Sequence, residues 1–318
     1  KIEKISGVEA VLIETRYEPC VVKDNETTDP NMATSGSMIG SHVAWADGYT
    51  GAGSKVAIID TGADTDHPSL DPDAFTYAVK DSGATLMTAA DLTDTVLEQL
   101  NASKKMPGVT ADDVYLSAKI PFAFDYAGKD AQVAPGSKWD AENLEHGTHV
   151  AGISAGYAVD GEGAVSFSGV APDAQVIPMK VFDDSGTGAA TTTILAALED
   201  ACRLGVDAVN LSLGSYCGFT VDEDALINDV YNKLDAAGIM VITAAGNETS
   251  SSYMNSYGTD APLTGDPDNS VVAAPSVYPA NLSAASVEGW QRRSVHPLPG
   301  LLRRLVRPRY AGLRHYAQ

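Results

Sequence analysis

Five short apolar runs separated by amphipathic stretches are the feature that most constrains how this chain can fold. Lys55–Asp60, 175–181, Ala208–Leu211, Met240–Ala244 and 281–285 are β-branched-rich and of strand length. Helices are predicted from near His146, over 191–204 and over 222–237, the last closed by Gly238. Strands this continuously apolar are buried on both faces. Their alternation with helices gives an α/β fold with a doubly wound parallel sheet. Functional groups in such sheets gather at the carboxyl ends of the strands, and Asp60 and Asn247 fall at or just beyond two of them. Residues 71–140 form a long insertion with one predicted helix over 89–103 and an aromatic stretch, Ile120-Pro121-Phe122-Ala123-Phe124-Asp125-Tyr126.

The charge is unevenly placed. The chain carries 42 acidic and 21 basic residues, yet from Gly289 onward there are seven arginines, no lysine and no acid. The first 288 residues therefore hold 42 acids against 14 bases, a net of −28. Such a body argues against nucleic acid or an anionic membrane as partner, because both require positive surface. It suits a protein that stays dispersed outside the cell. No run of eighteen apolar residues is present, so no membrane span is expected. Three cysteines (Cys20, Cys202, Cys217) with no CxxC pair do not make a disulfide framework.

Three segments carry chemistry. In Ala57-Ile58-Ile59-Asp60-Thr61-Gly62-Ala63-Asp64 a carboxylate closes a buried strand, and Gly62 lets the backbone turn away. Taken alone, this segment also fits the active-site loop of an aspartic protease, which needs a second carboxylate to share a proton. Asp81 and Asp184 head similar Asp-Ser-Gly triplets, although Lys80 and Asp183 precede them where apolar residues belong. In Glu145-His146-Gly147-Thr148-His149-Val150-Ala151-Gly152, His146 opens a helix with small residues beneath it. A general base needs such a fixed ring, oriented by a carboxylate at one nitrogen. His149 reads as structural, and the HExxH zinc spacing is absent. In Val241-Ile242-Thr243-Ala244-Ala245-Gly246-Asn247-Glu248, an amide beyond a strand end is placed to donate to a developing oxyanion.

In the order Asp, His, Asn, these segments resemble the subtilase family of serine proteases; the same triad on other folds runs in other orders. The resemblance implies a subtilisin-like three-layer fold and peptide-bond hydrolysis, with Asp60 as orienting carboxylate, His146 as general base and Asn247 as oxyanion donor. It implies that Ser212, Leu213 and Gly214 line the specificity pocket and pair with an extended polypeptide substrate. Gly186, in Ser185-Gly186-Thr187-Gly188, would clamp the peptide's other edge. Ala33-Thr34-Ser35-Gly36-Ser37-Met38-Ile39-Gly40 and Gly48-Tyr49-Thr50-Gly51-Ala52-Gly53 are similar to the start of the catalytic domain in large cell-envelope subtilases, the lactocepin and C5a peptidase group. Residues 1–20 resemble the end of an inhibitory prodomain, with Gly7-Val8-Glu9-Ala10-Val11 as a closing strand, and 21–288 the catalytic domain. A secreted or cell-wall location follows from the same likeness. No cofactor is required by such chemistry. Many subtilases bind calcium, but no ligand set stands out in the sequence.

The chain departs from the family at one point. The nucleophile belongs in a Gly-Thr-Ser segment at a helix start downstream of the asparagine, and none follows Asn247. Gly36-Ser37-Met38 precedes Asp60, and Ser294 lacks the glycine. The likeness ends near Glu288, and the arginine-rich residues 289–318 have the character of a shifted reading frame, expected to be disordered; the alternative is a real basic tail. The expectation is therefore a catalytic domain cut before its serine helix, inactive as written and of marginal stability. The alternatives are a non-catalytic fragment that binds peptide, or an aspartic protease built on Asp60.

Overall fold

The computed structural model describes residues 11, 14–19, 32–135, 145–184, 188–215, 225–246 and 272–285. Residues 1–285 belong to one compact unit, and a second unit, 286–318, lies outside the described residues. The centre is a six-stranded parallel sheet. In chain order its strands are β2 (Lys55–Asp60), β3 (Phe124–Asp125), β6 (Gln175–Lys180), β8 (Ala208–Leu211), β10 (Met240–Ala244) and β11 (Leu282–Ala284). Their spatial order is β11-β10-β8-β2-β6-β3. Within this sheet the chain starts at β2, goes to the end strand β3, returns to β6 between the two, and then crosses to build β8, β10 and β11 outward on the other side. The direction of winding thus reverses at β2, and the crevice at such a switch point opens at the strands' carboxyl ends. Asp60 is the last residue of β2.

The pleat decides which side each β2 residue serves, since successive side chains point to opposite faces. Ala57 and Ile59 join the larger core, with Ile177 and Met179 of β6 and with Ala197, Leu198 and Ala201 of helix α8 (Thr191–Arg203). Ile227, Tyr231 and Leu234 of helix α9 (Ala225–Ala236) lie in the same core. Ile58 joins the opposite core, with Val176 of β6 and with Ala151 and Ala155 of helix α7 (His146–Ala155). Ile58 and Ile59 are both fully buried, and each burial contributes about 1.5–3 kcal/mol. By the same parity Asp60 and Lys180 face α7. The predicted strands are present, as are the helices from His146 and near 191–204. Of the helix expected over 222–237, residues 225–236 are helical and 222–224 lie outside the described residues.

The smaller elements lie around this frame. Two helices, α1 (Met32–Ile39) and α2 (Ser41–Ala46), precede β2, and Trp45 Nε1 donates to the Val170 carbonyl at 2.8 Å. A hairpin of β4 (Tyr157–Val159) and β5 (Val165–Ser168) follows α7. The insertion holds α3 (Pro72–Val79), α4 (Asp94–Gln99), α5 (Asn101–Lys105) and α6 (Ala111–Val114). The single helix expected over 89–103 is instead a 3₁₀ turn (Ala89–Asp91) followed by α4 and α5. The break falls at Leu100, extended at ψ 150° and fully buried. The buried Asp200 supplies a new helix start there, accepting from the amides of Asn101 (2.7 Å) and Ala102 (2.9 Å) and from the Tyr126 hydroxyl (2.9 Å). A tertiary cap thus overrides local helix propensity. Gln175 ties the insertion to β6, accepting from Met87 N (2.8 Å) and donating to Met87 O (2.9 Å) and Ala118 O (2.7 Å).

Lys119 is an unusual core residue. It is fully buried, its Nζ donates to the carbonyls of Pro172 (2.8 Å) and Ala174 (2.7 Å), and it stands 4.6 Å from the centre of the Phe75 ring. Burial lowers its pKa to about 7. Between about pH 7 and its ordinary value, the unfolded chain binds this proton and the folded chain does not. Stability therefore rises with pH across that window, at up to about 1.4 kcal/mol per unit, and is flat in this contribution below it. Lys119→Met removes the rise. Urea unfolding at pH 7 and pH 9.5 is expected to show wild type gaining on the variant at the higher pH; an equal gap at both would contradict this account of Lys119.

Candidate active site

Asp60 is fully buried, and its Oδ1 accepts from the Thr61 amide and from His146 Nδ1, each at 2.7 Å. A carboxylate only accepts, so the shared proton sits on Nδ1 and the lone pair of the neutral ring is on Nε2. The His146 side chain is 10% exposed, which holds the ring in place while leaving part of it accessible. Asp60 Oδ2 has no hydrogen-bond partner among the described residues. Among the described residues neither oxygen is hydrogen-bonded to a second carboxylate, as an aspartic-protease dyad requires.

The pair is assembled by two short segments that interlock. Gly62 turns at φ 110°, and a Cβ there would strike the Val133 carbonyl and come within 2.9 Å of Lys180 Cδ. A Cβ on Gly147 would strike the Gly62 carbonyl and lie 3.2 Å from Asp60 Cβ. With both side chains absent, the start of α7 sits directly on the end of β2. Each segment then lends a threonine hydroxyl to the other's backbone. Thr61 Oγ1 accepts from Gly147 N at 3.0 Å, and Thr148 Oγ1 accepts from Asp64 N at 2.9 Å. The sequence reading singled out the aspartate and histidine but missed these threonines. The signal for them is the mirrored Thr-Gly and Gly-Thr steps beside the two functional residues.

Lys180, also missed, stands beside Asp60 in register on the same face. Its Nζ reaches Asp125 Oδ2 at 2.6 Å and Asp184 Oδ1 at 2.9 Å. Burial opposes its charge, but the two carboxylates outweigh burial and raise its pKa. Asp125 Oδ1 is occupied by the amides of Ala127 (2.9 Å) and Gly128 (2.7 Å). Asp184, a candidate second carboxylate in the aspartic reading, is thus bound to a lysine. His149 is a weaker base than usual, through partial burial and then the neighbouring His146.

A second, three-stranded sheet has the order β7 (Ala189–Ala190), β1 (Arg16–Pro19), β9 (Leu213–Gly214). Here β9 follows Ser212 beyond the carboxyl end of β8, and β7 leads into α8. The strand between them is the chain's own β1, antiparallel to both. Glu18 is in register with Gly214, Pro19 with Leu213 and Tyr17 with Ala189. Tyr17 is 5% exposed, in the core that holds Leu213, Ile194, Ile227 and Tyr231. Gly188, at φ 84°, lets β1 pass, since a Cβ there would lie 2.7 Å from the Tyr17 carbonyl oxygen. Of the remaining candidates, Ser212 accepts from Asn210 Nδ2 at 2.9 Å, while Gly186 and Asn247 lie outside the described residues. So do residues 7–10 of the expected closing strand. Among the described residues no cluster of His, Cys, Asp or Glu is placed to hold a metal ion. No helix there is long and apolar enough to cross a membrane.

The fold is thus a parallel α/β sheet with a buried Asp–His pair at its switch point. Residues 51–296 match the subtilase family (peptidase S8), and the chain belongs to that family of serine proteases. It is 30% identical over 291 residues to the PI-type proteinase of Lactococcus lactis subsp. cremoris, covering 91% of this chain and 14% of that protein. It is 29% identical over 253 residues to the minor extracellular protease Vpr of Bacillus subtilis, covering 78% and 25%. With the C5a peptidase of Streptococcus pyogenes it shares 29% identity over 242 residues, covering 74% and 18%. The chain thus spans a quarter or less of the length of these relatives.

Two glycines of α7 separate the contact at the pair from helix propensity. Gly147→Ala is expected to lower stability by about 1–3 kcal/mol, because the Gly62 carbonyl must move. Gly152→Ala meets nothing closer than Ser69 Oγ at 3.6 Å and should gain up to about 1 kcal/mol from helix propensity. Denaturant midpoints of the two variants check the contrast, and similar shifts for both would contradict the interlock.

Proposed function

We propose that Asp60 and His146 are the orienting carboxylate and general base of a serine endopeptidase. The observation that carries this is the 2.7 Å bond between buried Asp60 and His146 Nδ1. His146 Nε2 takes the proton of a serine hydroxyl as the oxygen attacks the scissile carbonyl, and Asp60 stabilises the imidazolium that forms. The imidazolium then returns its proton to the leaving amine. Asn247 is assigned the hydrogen bond to the tetrahedral oxyanion. Ser212, Leu213 and Gly214 on one edge and Gly186 with its neighbours on the other receive the substrate backbone as a strand. The mechanism needs no cofactor; calcium, where bound, would serve stability.

In this reading β1 is the end of an inhibitory prodomain lying where substrate belongs, a form of β-strand addition. The acidic body and the likeness to an extracellular protease support a secreted or cell-wall location. An aspartic mechanism has less support, because Asp60 is bound to a histidine. Pepstatin should therefore leave any peptidase activity of the gene product intact, whereas His146→Ala should lower turnover by about 10⁴-fold or more.

The 318 residues hold no serine in a Gly-Thr-Ser segment after Asn247. Loss of the nucleophile costs on the order of 10⁶ in turnover. As written, the chain is expected to bind peptide without cutting it, the second reading raised by the sequence. A fluorophosphonate probe should leave it unlabelled; labelling at one active-site serine would overturn that. Reading the DNA across codons 284–318 and beyond in three frames tests for a Gly-Thr-Ser segment in another frame.

A further inference from the structure

The hydrogen bonding of the N-terminal strand continues upstream of the two edges that flank it. Helix α8 begins at Thr191 after Ala190, which has no side-chain acceptor to cap it. The first amides of a helix have no partner within the helix, and in water or protein they must find one. Here the Thr15 carbonyl fills that role, accepting from Thr191 N at 3.2 Å and from Thr191 Oγ1 at 3.1 Å. Thr191 Oγ1 in turn accepts from Thr15 N at 3.2 Å. One residue earlier, Thr192 Oγ1 donates to Glu14 Oε1 at 3.1 Å. The Glu14 carboxylate is also 3.8 Å from Arg16, whose guanidinium donates to the Gly188 carbonyl at 3.4 Å. Residues 16–19 are therefore paired as a strand, and the two residues just upstream, 14 and 15, are held by α8.

We infer that Thr191 and Thr192 form a further binding station of the peptide groove. It takes the main chain of an extended polypeptide two residues before the buried aromatic side chain, and a carboxylate three residues before it. The inference rests on reading the β7–β9 groove as the substrate site. Thr191 acts on backbone atoms that every residue but proline presents in full, so it measures length and extension. Thr192 acts on a side chain, so it selects for acid. The class of ligand is a polypeptide that continues upstream in extended form with an acidic residue at that position. A short peptide beginning at the aromatic residue forfeits every one of these bonds. A negative charge beside the first turn of α8 is also favoured by the helix dipole.

Hydrogen exchange on the full chain tests this directly, comparing wild type, Thr191→Val and Thr191→Ser. Loss of the hydroxyl is expected to raise exchange of the amides of residues 16–18 about tenfold, with Thr191→Ser close to wild type and β2 unchanged in all three. Added acetyl-Glu-Thr-Arg-Tyr-Glu-Pro-amide should release the chain's own strand at a concentration at least about tenfold below that of acetyl-Tyr-Glu-Pro-amide, with the Gln-for-Glu version of the first residue weaker. Equal protection in wild type and Thr191→Val, or equal potency of the long and short peptides, overturns the inference and leaves the groove reading standing. Absence of protection of residues 16–18 in wild type overturns both.

Discussion

The contact between Gly147 and the Gly62 carbonyl sets how near α7 stands to the sheet, and the Asp60–His146 distance follows from it. A methyl group at residue 147 would occupy the space of that carbonyl, so any other residue pushes the histidine away from the aspartate. The hydrogen bonds from Gly147 to Thr61 and from Asp64 to Thr148 then remove the remaining freedom of the two segments. Packing density alone does not give such precision, since apolar contacts tolerate small slides. Direct backbone contact with reciprocal hydrogen bonds does not. The parity of β2 supplies the other half of the geometry by turning Asp60 to the face that α7 covers.

Buried charge around the pair is arranged so that each group is partnered. Lys180 neighbours Asp60 on the sheet, yet its ammonium is held by Asp125 and Asp184. Asp125 is further fixed by two backbone amides. A free lysine at this place would compete with His146 for the carboxylate, and a free carboxylate would compete with Asp60 for the histidine. Breaking one partner of such a buried set leaves an uncompensated charge, which costs more than the bond itself. The Lys180 stem also packs against Gly62, so the same side chain supports the turn that follows Asp60.

The fold was legible because strands buried on both faces are written as apolar runs, as β2 and β6 are, whereas the expected double burial fails at β11, which stands at the end of the sheet and is largely exposed. Asp60 and His146 were legible because a lone charged or ionisable residue at the end of such a run, or at the start of a small-residue helix, has few structural reasons to be there. The insertion was harder. Nothing near Leu100 signals a helix break, because the acid that caps α5 lies about a hundred residues away at Asp200. The roles of Thr61, Thr148, Thr191 and Lys180 likewise depend on partners brought together only by the crossover of the chain at β2. Short strands such as β1 and β7 have too few residues to show a period, so pairing across 170 or more residues leaves no local trace.

The pair and the groove share the carboxyl edge of one sheet but not their supports. Asp60 and His146 are positioned by the end of β2 and the start of α7, whereas β1 is held by β7, β9 and the first turn of α8. On the proposed reading, a strand can therefore leave the groove without dismantling the catalytic geometry. Departure is not without consequence, because Thr191 N loses its acceptor and the Tyr17 ring vacates an apolar core that includes Tyr231. Both losses favour refilling by another extended chain with an aromatic residue at that place. A groove stabilised by its own occupant exchanges one strand for another more readily than it stands empty, and on the proposed reading that exchange is of an inhibitory segment for substrate.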